Sequence, residues 1–234
     1  MKLTAILLFF LFFFLGCNTK ENMKGNSLST NIKDVQIVKD TITITDSIIS
    51  KECLYQNLSK TNDFKLVYYE KYSGSEISNR YWDVIVYDKG KRKIDSIRQN
   101  LNIFSSSFVN FDDAKSYLTG VNTKRKVVDN YNGGFVVADF NFDSKNDFAI
   151  INDIGGTGGP FYSFYIQKDN SKFELNKFLQ DSVIYFPSKI DKTKRMLITN
   201  VHEGACFIGE YKYKFEKGEW KEISKKLIDI CKEQ

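Results

Sequence analysis

The chain has 234 residues, 42% of them hydrophobic and 27% charged, with 20 Phe, 13 Tyr and only 2 Pro. That apolar content excludes a disordered chain, and the length bounds the fold at one domain with a substantial core plus extensions. The formal charge of +5 is interspersed, so no basic run argues for nucleic acid, and the single histidine, His202, excludes His-rich metal sites.

Lys2 precedes an unbroken apolar run over residues 5–15, shorter than the roughly 20 residues that span a bilayer. The run closes on Leu15-Gly16-Cys17, which resembles the lipobox of bacterial lipoproteins, with Phe14 where that family usually has Leu. The resemblance implies a signal peptide over residues 1–16, diacylglycerol on the Cys17 sulfur, and anchoring to an envelope membrane facing periplasm or exterior. Without Lys2 the charge falls from +5 to +4, which suits an anionic envelope or an acidic partner. Residues 17–50 are rich in Lys, Asn, Ser, Thr and Asp and are expected to form a flexible tether, with at most a short strand around Ile42, Ile44, Ile48 and Ile49. The globular domain is expected over residues 51–234.

From Asp63 the pattern is β. Phe64, Leu66 and Tyr68 alternate with polar neighbours before a turn at Tyr72-Ser73-Gly74-Ser75, and residues 81–87 look covered on both faces. Asp88-Lys89-Gly90-Lys91 predicts a hairpin returning through residues 93–101. Residues 102–117 place aromatics for a short helix or a packed loop, with Asp112 near an N-cap. Further strands are expected over 126–129, 134–140, 148–152, 161–167, 172–179, 182–186 and 195–201, with a strand or a strand ending in a helical turn as the two readings of 172–179. A last hairpin joins 207–215 to 219–227 around Glu216-Lys217-Gly218. Many short strands and frequent turns give an all-β or β-dominant fold: a single antiparallel domain with at most short helices. No repeat of fixed period is visible, which tells against a complete propeller.

The segment ADFNFDSKNDF carries Asp139, Asn141, Asp143 and Asp147 at relative positions 1, 3, 5 and 9. Alternate oxygens on a curved loop converge on the oxygen-rich shell that Ca2+ requires, with Lys145 at position 7 offering its backbone carbonyl. Ser144 stands where an EF-hand loop has Gly, and Ile150 where it has Glu; the flanks are strands, so the pattern is a calcium loop on a β-scaffold. An Asx-rich turn is the plain alternative. The run Gly155-Gly156-Thr157-Gly158-Gly159 lacks Gly-Lys-Ser/Thr and is followed by a strand, which excludes a phosphate loop. Together with Tyr162 it is a candidate contact tip for a protein partner, set against a core role for the aromatics.

No G-x-S-x-G elbow occurs, and Cys206 near His202 has no nucleophile signature, so an enzyme is not expected. Carboxylate pairs for glycoside chemistry are open, because Asp and Glu are plentiful. With Cys17 given to lipid, Cys53, Cys206 and Cys231 allow one disulfide and one thiol over. Cys206 with Cys231 is preferred because it pins the carboxyl tail to the last hairpin; Cys53 with Cys231 is the alternative. No CxxC spacing suggests zinc.

The stretches ADFNFDSKNDFAIIND, GGTGGPFYSFYI and MLITNVHEGACFIGEYKYKF together resemble a group of exported bacterial proteins with a single D-x-N-x-D-x-x-x-D calcium loop, over residues 131–220. FG-GAP and integrin-like propeller repeats carry a related loop. The group includes envelope proteins that inhibit lysozyme-like peptidoglycan hydrolases as immunity proteins against secreted toxins. The resemblance implies calcium ligation by Asp139, Asn141, Asp143, Lys145 and Asp147, and a binding protein that occludes a hydrolase cleft. Lysozyme inhibitors use a Ser-Gly-x-x-Tyr-like loop, for which residues 155–162 and 72–75 with Tyr81 are the candidates. A surface lipoprotein that binds cell-wall glycan or a nutrient through exposed Trp82 or Trp220 is the alternative.

Overall fold

The computed structural model describes residues 20–24, 46–102, 111, 114–117, 134–154, 160–183 and 185–232. Its described part consists of strands in three sheets, with helix confined to a short turn, so the all-β class expected from turn spacing is what the chain adopts. No helix among the described residues is long and apolar enough to cross a membrane. The lipobox and Cys17 lie outside the described residues.

The first sheet is an antiparallel meander of β1 (Lys20–Lys24), β2 (Asp46–Tyr55), β3 (Asn62–Ser73), β4 (Glu76–Asp88) and β5 (Lys93–Asn100). Period-two patterning sets its register. Phe64, Leu66 and Tyr68 lie opposite Val86, Val84 and Trp82, and all six side chains are buried on one face. The sheet begins earlier than residue 51. β2 starts at Asp46, and β1 pairs with its first half, Lys24 opposite Ile48 and Lys20 opposite Glu52. Pairing gives those backbone groups the partners that a solvated tether would seek in water.

The second sheet has the order β10-β9-β8-β7-β6, from β6 (Lys115–Tyr117), β7 (Phe135–Ala138), β8 (Asp147–Asp153), β9 (Phe161–Gln167) and β10 (Phe173–Leu175). Only β6 runs parallel to its neighbour. This sheet is the middle layer. Phe135, Val137, Phe148, Ile150 and Tyr165 join the first sheet's core, whereas Val136, Ala138, Ala149, Ile151, Tyr162 and Phe164 face the other way. Burial on both faces explains why residues 135–138 and 148–151 read as continuous apolar runs rather than alternating ones.

The third sheet, β11 (Lys189–Asp191), β12 (Met196–His202), β13 (Phe207–Glu216) and β14 (Glu219–Asp229), covers that second face with Leu197, Tyr213 and Trp220. The expected last hairpin is present, turning on Lys217 and Gly218, both at positive φ (53° and 83°), as a two-residue turn between twisted strands requires. The described residues within 182–186 do not form a strand. Leu179–Val183 is a single π-helical turn that buries Leu179 and Val183, and Tyr185 makes one bridge to Phe161. The strand expected over 126–129 and most of 102–117 lie outside the described residues, while β11 was too short to register as a pattern.

Cys206 and Cys231 are disulfide-bonded with their Cα atoms 5.1 Å apart, tying the β12–β13 connection to the end of β14. Cys53 is also disulfide-bonded, so the expectation of a leftover thiol fails there, and no cysteine among the described residues is free. Cysteines in disulfides mark an extracytoplasmic protein.

Candidate functional site

The β7–β8 connection, residues 139–146, is the candidate calcium loop. Its curvature is local in origin. The Asp139 carboxylate accepts the backbone N–H groups of Asp143 (2.9 Å) and Ser144 (3.0 Å), Asn141 Oδ1 accepts Asp143 N–H, and Asp143 Oδ1 accepts Lys145 N–H. Ser144 adopts φ 72°, the left-handed conformation for which Gly is the usual choice at this position. The departure at position 6 is therefore accommodated without losing the turn. Lys145 directs its ammonium to Asp169 and, at 3.5 Å, toward Asp143.

Asp147 closes the loop from inside. Its carboxylate is fully buried and accepts N–H groups from Phe140 (2.8 Å), Asn141 (3.3 Å) and Gln167 (2.9 Å). It has no ion-pair partner among the described residues. Burial pushes its pKa well up, and the charges of Asp143 and Asp139 add to the effect, against the hydrogen bonds from Gln167 and Phe140. Asp139 is likewise buried and raised by burial, with the Ser144 N–H and the Lys192 ammonium, 3.3 Å away, pulling the other way.

The loop is also where the three sheets meet. Asn146 donates to Ser59 Oγ (2.6 Å) and Thr61 Oγ1 (2.7 Å) in the β2–β3 connection of the first sheet. From the third sheet, the β11–β12 turn brings Lys192 to Asp139, and Arg195 donates to the Asn141 carbonyl at 3.4 Å. Asn146 was not singled out in the sequence, since nothing local marks an Asn whose partners lie 85 and 87 residues away.

The donor set of three carboxylates, one amide oxygen and a backbone carbonyl is hard and oxygen-only, which suits Ca2+ and not a thiolate- or imidazole-seeking metal. In the present arrangement the carboxylates are turned onto backbone N–H groups and Lys192. Among the described residues no three His, Cys, Asp or Glu side chains are gathered closely enough to hold an ion. Asp139 Oδ1, Asn141 Oδ1, Asp143 Oδ1 and Asp147 Oδ1 each accept one N–H and keep a further lone pair. Asp139 Oδ2, in contrast, meets the Ser144 N–H and Lys192, and Asp147 Oδ2 accepts two N–H groups, so ligation through those oxygens means exchanging present partners for the ion. The chemistry of the residues fits.

The other candidates are dispersed. Residues 155–159 lie outside the described residues. Tyr162 is fully buried and packs against Phe186 with ring centroids 5.3 Å apart, so it is a core side chain and not a contact tip. β9 is covered on both faces, which leaves no solvent side for it. Tyr81 is buried and stacked on Tyr69, so it is not offered to a partner, whereas Tyr72, only partly buried, has its hydroxyl bonded to Glu70. Trp82 and Trp220 are both buried, at 1% and 7% exposure, which removes the indole platforms of the glycan-binding alternative. His202 ends β12, exposed. Glu203 is not merely solvated: it accepts from Tyr211 and pairs with Lys225 at 3.1 Å, and these bonds hold its pKa down. A polar cleft of about 480 Å³ opens beside Asn152 and Phe161 and is lined by both Asp153 and Asp181.

No protein-family model matches the chain, and no curated protein does. A solved structure, a Xanthomonas type IV secretion system related protein, is similar at 16% identity over 80% of this chain and 81% of its own, with a TM-score of 0.41. A likeness at this level fixes neither fold nor function.

Proposed function

We propose that the chain is an envelope-facing binding protein whose calcium loop locks three sheets into one body, with a lysozyme-like peptidoglycan hydrolase as its partner. The supporting observation is the pair of buried carboxylates, Asp139 and Asp147, at the junction of the sheets. One lysine stands against the charge of that loop's interior, and a dication would complete the neutralisation. Calcium is structural in this reading, and inhibition is occlusion of the hydrolase cleft. Calorimetric titration of the intact mature chain should find one Ca2+ site and a raised melting temperature. Asp143→Ala should lower that temperature in calcium and leave it nearly unchanged in chelator; equal losses in both conditions would remove the role.

The partner is tested separately, by following lysis of peptidoglycan by a lysozyme. A rate unaltered by a large molar excess of the calcium-loaded chain overturns the inhibitor reading while leaving the metal site standing. Lipid attachment at Cys17 belongs to the same proposal, but with Cys206 and Cys231 paired to each other a thioether on Cys17 and an intrachain disulfide at Cys53 exclude one another. In mass spectrometry of the unreduced chain a diacylglyceryl mass supports the anchor, and an unlipidated chain with two disulfides removes it. Because Cys53 is itself disulfide-bonded, its thiol state is to be read in the same sample.

A further inference from the structure

The hairpin turns at one end of the third sheet enclose a cleft of about 830 Å³. Its lining carries Lys194, Arg195, Lys212, Lys214 and Lys217 against a single carboxylate, Glu216. Lys212 pairs with Glu210 at 3.0 Å, and Lys214 pairs with Glu216. Lys194, Arg195 and Lys217 have no carboxylate partner among the described residues. Two of them are held by tight turns: Arg195 (φ 52°) and Lys217 (φ 53°) are left-handed non-glycine residues. The Arg195 carbonyl accepts the Phe215 N–H at 2.9 Å, and its guanidinium lies over the Phe215 ring, 5.1 Å from the centroid. The cations are thus mounted on a fixed frame.

Register extends the charge along the outer face. Lys214 lies opposite Lys221, and Glu210 opposite Lys226, so both β14 lysines share the face that carries Lys212 and Lys214. Lysines that only protect a sheet edge sit along that edge; these converge on a concavity, where like charges repel and a potential is focused. The floor is apolar, formed by Met196, Phe215 and Ile223. We propose that this cleft binds an acidic polysaccharide: a linear chain whose phosphate, sulfate or carboxylate groups meet the lysines while its ring faces rest on the apolar floor. The cations stand on separate turns, too dispersed for one small anion, and a concave site admits a chain where a flat lipid surface cannot follow. This proposal does not rest on the hydrolase reading.

The probe is heparin, immobilised, with neutral dextran as the control matrix and the intact mature chain as the sample. Retention on heparin and not on dextran, released by salt, is expected. The triple charge reversal K194E/R195E/K217E should abolish retention, whereas K60E/K93E/K177E, at exposed lysines elsewhere, makes the same change in net charge and should keep it. Equal loss in both variants would reduce the effect to overall charge and overturn the site. Vesicles containing anionic phospholipid form a second arm, and binding to them without retention on heparin overturns the polysaccharide in favour of a lipid surface. If the triple variant fails to fold, Lys194→Ala with Lys217→Ala repeats the test, and unchanged heparin retention in that pair overturns the proposal.

Discussion

At the scale of single residues, two buried polar groups carry more than their neighbours. Asn146 supplies the described side-chain bridge from the loop to the first sheet, and its two hydrogen bonds have no replacement if the amide is removed. Asn146→Ala should cost about 1–3 kcal/mol in urea unfolding, the range for a buried bond lost with a partner left short. Glu70 is the second. It accepts from Tyr68 (2.8 Å), Tyr72 (2.9 Å) and Arg80 (2.8 Å). Burial alone would raise its pKa, but the hydrogen bonds from Arg80, Tyr68 and Tyr72 outweigh it and hold the carboxyl below its ordinary range. A carboxyl depressed on folding contributes stability above its unfolded pKa and loses that contribution as pH falls through the folded value. Glu70→Ala should therefore cost roughly 3–5 kcal/mol at neutral pH, the cost of stranding a partner such as Arg80. The penalty should shrink in acid. Parallel stability–pH curves for the two proteins would contradict the assignment.

At the scale of elements, what the sequence made legible was whatever rests on local pattern. The alternating oxygens of residues 139–147 and the Lys217-Gly218 turn are local, because neighbouring backbone and side chains define them. Phe64, Leu66 and Tyr68 alternate because the first sheet has one covered face. Tyr162 was ambiguous for the opposite reason: in the middle sheet both faces are buried and alternation carries no information. β1 was hidden because its pairing partner is distant and its composition polar. The Cys206–Cys231 pair was preferred on topology yet shared the sequence with a rival pairing, and only the fold separates them. That disulfide closes a span of 25 residues, for which chain entropy gives roughly 3–4 kcal/mol. Replacing both cysteines by Ser should lower stability by up to that amount and raise hydrogen exchange in the last turn of β14. An unchanged denaturation midpoint would mean that the hairpin register alone holds the tail.

At the scale of the molecule, the loop's position makes a claim about cooperativity. The middle sheet has one core against the first sheet and another against the third, and such layers are able to unfold separately unless something joins them. The described loop residues touch all three sheets. The chain's two tryptophans are placed to test the joint, Trp82 within the first core and Trp220 within the second. Trp220→Phe leaves fluorescence reporting only the first interface, and Trp82→Phe only the second. If calcium binds the folded loop and not the unfolded chain, saturation at about a thousand times Kd adds close to 4 kcal/mol to whatever unit unfolds with the loop. Both single-tryptophan proteins should then show one transition at the same temperature, shifted upward by calcium to the same extent. A shift in the Trp220 signal alone would confine the loop's hold to the third sheet, through Lys192 and Arg195. A shift in the Trp82 signal alone would confine it to the first, through Asn146. Either result would break the link between the buried carboxylates and a single rigid body, which is the property a cleft-occluding binder needs.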